Sequence, residues 1–528
     1  MRTICLKIAV TAASLLCASA ANAALVLSTH ATSNAHCSAG VCSASAANAI
    51  LAVEDVQRLL KLGDVTIKSD RGTQDIEIVD VLRWAGPHRL TLDAYHSIVF
   101  RAPVIVEGPG AVTLRTNHGG ANGRHRFSAN GKLNFWDEAG DLIVNGNSYR
   151  LVKSLHKLAK KIAENPGGHY ALAGDIDASS HVPYARAIVR TTLAGSFDGL
   201  GHTISNLTFQ TIKGRGATLL QNLNINATFA NLNFINAVAN ATDLDHGGEG
   251  IAIGESYGTI SGVTAQVNIT ATSAYDETIG AIVGLNGGHM QDCAATGTIT
   301  TPDSVNTFVG GLAGQGGFID NSHASVSVQS ADYGGGLLGE GDAAITGSYA
   351  TGDVSGRYAG GLIGVLGGDA SVQGSFATGN VSASKYAGGL VGETHFARNK
   401  ITDSYSTGSV TGGAQATAVG SFAGAENATV TNVYATGAVS GPGGAAIGGV
   451  VGQDTGGTST ANYWDLDTTG IGDPHKGAGN IVDDPGIAGL TDAQLKSGLP
   501  AGFDSAIWGQ SASINNGYPY LLANPPPQ

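Results

Sequence analysis

The sequence is short of charge. Only 13% of its 528 residues are Asp, Glu, Lys or Arg, about half the ordinary share, and the formal net charge is −13. A chain so poor in cations and acidic on balance is excluded from nucleic-acid or anionic-membrane binding driven by bulk electrostatics. Long apolar runs are missing too: beyond residue 23 none reaches the ~18 residues that would span a bilayer. Strict Gly-X-Y repetition is absent despite 78 glycines, which excludes collagen. No His-Glu-x-x-His occurs, so that zinc-peptidase signature is not carried. Solubility falls to Ser, Thr, Asn, Gln and exposed backbone.

What the chain has in quantity is repetition. Between residues 279 and 465 a Gly-x-x-x-Gly phrase recurs, ending at Gly284, Gly314, Gly339, Gly364, Gly392, Gly424 and Gly452. A second phrase alternates with it: CAATG at 293–297, SYATG at 348–352, SFATG at 375–379, SYSTG at 404–408 and VYATG at 433–437. Two interleaved phrases at a nearly constant interval build one supersecondary unit many times over. The units carry no apolar run with helical spacing. Instead Val, Ile, Phe and Tyr alternate with Ser, Thr, Asp and Gln, as in SVQGSFATGNVSA at 371–383. Period-two alternation between Gly, Asn and Asp turns reads as short strands. The fold class is therefore all-β, a parallel β-helix (β-solenoid) with short accessory helices and a C-terminal cap. Each coil buries its inward face only because a neighbour lies against it. The glycines serve corners or close backbone approach.

The expected organisation is a signal peptide at 1–23, a flexible leader at 24–49 and an irregular β-helix region with helices at 50–165. First coils follow at 166–278, the glycine-rich array at 279–465, and a cap and tail at 466–528. The signal assignment rests on Arg2 and Lys7, the apolar stretch 8–16 and the Ala21-Asn22-Ala23 cleavage site. An exported product follows, secreted or at the cell surface, with the periplasm as the alternative. Amphipathic helices are expected at 51–62 and 149–164; the second, though basic, is read as packed on the solenoid wall. Cys37 and Cys42 stand where they could close a small loop after export, while Cys293 occupies a slot filled by Ser or Val elsewhere and reads as buried. Tyr463 and Trp464 of NYWD supply apolar area where the repeats stop. Phe503, Ile507, Trp508 and Tyr518 are expected to fold back over the solenoid end.

These phrases resemble a known family. YALAGDIDAS, FDGLGHTI, GGLVG, SYATG, NYWD and the closing LTDAQLKSGLP are similar to the repeat region of bacterial filamentous-haemagglutinin-like exported proteins, whose glycine-rich unit is called the GLUG motif. The resemblance covers about residues 90–522. It implies a long parallel β-helix, exported and displayed as an adhesin. A similar unit accompanies some IgA-cleaving metalloproteases.

The expected function is non-catalytic: many weak contacts from a repeated polar wall to glycans, matrix or cell-envelope components. Two alternatives are a polysaccharide lyase or glycoside hydrolase, and a self-associating surface component. Hydrolysis would need two carboxylates roughly 5–10 Å apart; the candidates are Asp175, Asp177 and Asp198, with His202 nearby in sequence. No cofactor is expected. Ca²⁺ is the one ion the Asp243, Asp245 and Glu249 loop would suit, although it lacks the EF-hand pattern. His118 and His125 alone do not make a zinc site.

Overall fold

The computed structural model describes residues 24–128, 130–211, 216, 218–244, 247–273, 277–302 and 306–527. The expected signal segment at 1–23 lies outside them, as do Asp245 and His246. About 15 turns of chain stack as a parallel β-solenoid.

The N-terminal coils have three faces, each a parallel sheet. The first contains Ala24–Ser28, Ala49–Ala52, Asp75–Ile78, Ile98–Phe100 and His125–Phe127. The second contains Leu82–Trp84, Pro103–Val106 and Lys132–Phe135, and the third runs from Val41–Ala44 to Asp141–Val144. Alternate side chains such as Leu90, Leu92, Val112, Leu114, Leu142 and Val144 point into one apolar core. The helix Val53–Leu60 closes the start of this core by burying Val53, Val56 and Leu60.

Residues 24–49, expected as a flexible leader, are instead ordered strands. Leu25, Leu27 and Cys42 are wholly buried, so this segment supplies apolar area that its Ala/Ser-rich composition conceals. Cys37 and Cys42 face each other across the antiparallel pair Ala35–Ser38 and Val41–Ala44 and form a disulfide with a Cα separation of 4.0 Å. The second expected helix also shifts. Tyr149 and Leu151 belong to the strand Asn147–Val152, and the helix runs from Leu155 to Glu164. Pairing with Asp141–Val144 outweighs the local helical pattern. Ser154 caps the helix by accepting from the Lys157 N–H, and Leu155, Leu158 and Ile162 pack into the solenoid core.

The two series of coils are continuous. The Leu133 N–H donates to the Leu200 carbonyl at 3.1 Å, and the Phe135 N–H to the Ala173 carbonyl at 2.9 Å. From there each coil pairs in register with the next: Val328, Val354, Val381, Val410 and Val439 form one inward column.

The second phrase is explained by a serine column. Ser322 Oγ accepts from the Cys293 N–H at 3.0 Å and donates to the Asp320 carbonyl at 2.8 Å. Ser348, Ser375 and Ser404 repeat the arrangement coil by coil. Backbone N–H groups that would be buried without a partner are thereby satisfied. Cys293 fills the same slot, and burial pushes its thiol up to about 12, which suits an inert filler.

The first phrase is explained by crowding. A Cβ built on Gly364 would lie 2.7 Å from the Gly339 carbonyl oxygen, one on Gly392 2.5 Å from that of Gly364, and one on Gly424 2.5 Å from that of Gly392. Gly452 continues the column against Gly424, while Gly284, Gly314 and Gly339 meet backbone nitrogens of the preceding coil. No side chain fits where the backbone folds this closely.

A third column is aromatic. Tyr349, Phe376, Tyr405 and Tyr434 stack with ring centroids 4.7–5.1 Å apart, and Tyr463 follows in register. Trp464 is buried over Gly449 and donates to the Ile471 carbonyl at 3.0 Å. The C-terminal segment was expected over the solenoid end; it lies along this column instead. The Tyr434 hydroxyl donates to the Pro519 carbonyl at 2.6 Å, Trp508 Nε1 to Asp403 at 3.2 Å and Asn524 Nδ2 to the Gly374 carbonyl at 3.1 Å. Rings stacked on one flank leave an apolar strip there, and Phe503, Trp508, Tyr518 and Leu521 cover it.

Candidate functional site

One wall of the repeat array presents polar side chains at strand spacing. Where the inward column is Val354, Val381 and Val410, the next position outward is Ser355, Ser382 and Thr411, with Gln329 and Ser440 at its ends. Neighbouring strands lie about 4.8 Å apart, so the row offers one hydroxyl or amide per coil. Beside it runs a second row. Asp353 Oδ1 accepts from the Asn380 N–H at 2.9 Å and from Asn380 Nδ2 at 3.1 Å. Asn380 Oδ1 in turn accepts from Ser409 Oγ at 2.6 Å. Each member fixes the rotamer of the next.

Together the rows line a groove of about 310 Å³ that continues, through Ser355, Ser382 and Thr411, into one of about 410 Å³. Arg357 lines the second of these, and an aromatic pair adjoins it. Tyr333 and Tyr358 stack at 4.6 Å, Lys385 Nζ donates to the Tyr358 hydroxyl at 2.7 Å, and Arg357 lies over the Tyr358 ring at 5.0 Å. Burial is the largest influence on the Tyr333 phenol and pushes it up to about 12, so it stays protonated as a donor. Chemically, the groove can exchange hydrogen bonds with a polyhydroxylated chain, one unit per coil, with apolar contact along its edge.

Each of the three candidate carboxylates is engaged by partners of its own. Asp175 accepts from Lys132 Nζ at 2.7 Å and the Thr203 N–H at 3.0 Å, and lies 3.1 Å from His202 Nδ1. Burial pushes its carboxyl up, yet the hydrogen bonds from His202, Lys132 and Thr203 outweigh that and hold it below the usual range. Asp177 faces Asn206 and the Ser179 N–H, which lower its carboxyl as well. Asp198 is buried, 2.5 Å from His125 Nε2, and accepts from the Leu200 N–H and from Asn231 Nδ2. Asp175 and Asp198 thus staple residues 125–133 to the first coils of the second series. Replacing Asp198 by Ala leaves His125 and Asn231 without their buried acceptor and is expected to destabilise the protein by about 3 kcal/mol; calorimetry checks it as a lowered Tm.

Sequence reasoning missed the Asp353, Asn380 and Ser409 row. Its signal was present, since a polar residue follows the second phrase in each of TGDV, TGNV and TGSV. The pairing of Lys132 with Asp175 and of His125 with Asp198 could not be read, because only folding brings together residues so distant in sequence. His118 is paired with Asp93 at 3.2 Å. In the acidic loop the Asp243 side chain and Asp245 fall outside the described residues. Among the described residues no group of three or more His, Cys, Asp or Glu is placed to hold a metal, and no helix is long and apolar enough to cross a membrane.

No known family profile matches the chain, and no curated protein matches it. Solved structures that are similar in part include the following two. One is an IgA1 protease, 18% identical, with 52% of this chain and 23% of that one covered and a TM-score of 0.34. The chain therefore spans about a quarter of that protein's length. The other is a proposed immunoglobulin A1 protease from Bacteroides ovatus, 16% identical, with 72% of this chain and 93% of that one covered and a TM-score of 0.31. The expectation that the chain is not an enzyme is corrected accordingly, because both similar structures carry protease names. At these TM-scores the likeness gives no residue a catalytic role.

Proposed function

We propose that this protein is an exported, adhesin-like β-solenoid that holds an extended polysaccharide along the groove between Gln329 and Thr411. The observation that carries the reading is the pair of in-register polar rows, repeating once per coil at about the length of one sugar unit. Each contact is weak, and their sum over several coils supplies affinity. The disulfide between Cys37 and Cys42 suits an oxidising compartment outside the cytoplasm, in keeping with the expected signal segment. A host, matrix or cell-envelope glycan is the partner class this chemistry fits.

A glycan array probed with the mature chain, followed by calorimetric titration of the best ligand, tests it. Ser382→Trp, a substitution at an exposed position, fills the groove and is expected to weaken binding about tenfold or more, while the Tm stays unchanged. Equal binding by the variant would move the site elsewhere. Shortened chains appearing in the same titration would make the groove a place of turnover as well as attachment.

A further inference from the structure

Another cleft lies away from the repeat wall, at the seam between the two apolar cores. It measures about 430 Å³ and is lined by Arg124, Arg126, Phe127, Asn233, Thr264 and Asp292, among others. His125 turns to Asp198 at 2.5 Å, whereas Arg124 and Arg126, two positions apart, both line the cleft. Phe127 is held by stacking on Phe100 at 4.5 Å. The Asp198 network therefore fixes the short segment, residues 124–127, from which both guanidinia project.

The charges do not balance. Arg124 pairs with Asp292 at 3.1 Å and is largely shielded from solvent. Arg126 is exposed, and among the described residues no carboxylate lies within ion-pair range of it. Asp320 also acts on Arg124 but is itself paired with His289 at 2.5 Å and does not line the cleft, so the lining sets two guanidinia against one carboxylate, an excess of one positive charge in a chain of net charge −13. A phosphate dianion would overcompensate that charge and meet repulsion from Asp292. A carboxylate matches it and fits the planar guanidinium fork. Asp292, Asn233 and Ser128, which also line the cleft, suit hydroxyl groups, and the volume admits a sugar ring.

We propose that this cleft binds a carboxylated sugar, a hexuronate residue, with its carboxylate on Arg126 and its hydroxyls on Asp292, Asn233 and Ser128. The site is separate from the groove between Gln329 and Thr411. Its occupant bridges the N-terminal coils and the first coils of the second series, so binding also stiffens the seam.

Calorimetric titration of the full mature chain with trigalacturonate, and with its methyl ester as the neutral control, tests the proposal. The acid is expected to bind, the ester about tenfold more weakly, and the affinity for the acid to fall as salt rises. Arg126→Ala is expected to reduce affinity for the acid about tenfold, with Arg126→Lys in between because it keeps the charge and loses the fork. Ser382→Trp, which blocks the other groove, is expected to leave trigalacturonate binding intact. No binding of the acid, equal binding of acid and ester, an unaffected Arg126→Ala, or loss of binding in Ser382→Trp would each overturn it. The last result would place the uronate in the repeat groove, whereas any of the first three leaves the groove reading standing.

Discussion

Gly361→Val is expected to open the middle of the solenoid. A Cβ at this position would lie 2.1 Å from the carbonyl oxygen of Gly389 in the next coil and 2.9 Å from the Ala377 Cβ. The same contact recurs along the array: Gly311 meets the Gly336 oxygen at 2.0 Å, Gly336 the Gly361 oxygen at 2.1 Å and Gly389 the Ser421 oxygen at 2.0 Å. Backbone cannot swing aside as a long side chain can. The coil must separate from its neighbour, and the hydrogen bond from the Gly361 N–H to the Gly388 carbonyl is lost with it. A branched side chain should therefore cost about 3 kcal/mol or more. In a solenoid, where each turn touches only its neighbours, the damage should be local. Hydrogen exchange is expected to show lost protection between about residues 336 and 392, along with a lowered Tm. Gly443, where an added Cβ would meet nothing within 4 Å, is the control: Gly443→Val should leave both readouts unchanged. A Gly361→Val protein melting like the parent would refute the close-approach explanation of the first phrase.

Glu426→Gln is expected to stabilise the protein at alkaline pH. Glu426 is about 1% exposed, and neither carboxylate oxygen has a hydrogen-bond partner. Burial, reinforced by the negative field of Asp454, pushes its carboxyl up to about 8; the Ala428 N–H, short of hydrogen-bond geometry, opposes this weakly. The folded state thus prefers the protonated acid. Below the ordinary value near 4.5 the group is protonated whether folded or not and imposes no penalty. As pH rises from there towards about 8, the unfolded chain holds fewer protons than the folded one, so stability falls, and the loss levels off above the folded value. Glu340, raised to about 7 by burial and then by Asp342, acts with the same sign. Gln keeps the shape and removes the ionisation. The variant should match the parent near pH 4 and exceed it by about 3 kcal/mol near pH 9, read from urea titrations at both values. Identical pH profiles for the two proteins would exclude Glu426 as the source.

Both effects depend on what a coil does to its neighbour, and they divide sharply in how legible they were. The glycine columns could be read directly. Gly339, Gly364, Gly392 and Gly424 recur at fixed phase with the β-branched positions, and in-register stacking converts phase along the chain into a column through space. The burial of Glu426 was harder to read. It stands opposite Asp454 and in phase with Leu366 and Thr394, two residues after the closing glycine of the first phrase, but a carboxylate by residue type belongs outside, and only the packed coils show that this one is turned inward.

The candidate site shows the same division. The polar wall followed from alternation, since residues flanking an inward valine must face outward. The individual acids did not follow. Asp175 and Asp198 carried the residue type that catalysis wants, yet Lys132, His125 and Asn231, all remote in sequence, occupy them as hydrogen-bonding partners. The Arg124 and Arg126 cleft escaped for a related reason: it exists only where one series of coils abuts the other.

By itself the amino-acid sequence determined the repeat, the strand period, the inward and outward faces and the places where no side chain is tolerated. Each is set by residues within one coil or at the same phase of the next, so periodicity encodes it. Only the tertiary structure decided that residues 24–49 are wall and not leader, that the aromatic C-terminal segment lies along the flank, and which acids are spent on staples. Those outcomes depend on contacts between segments that share no phase, where burial and charge pairing select one partner among many that the chain order leaves equally open.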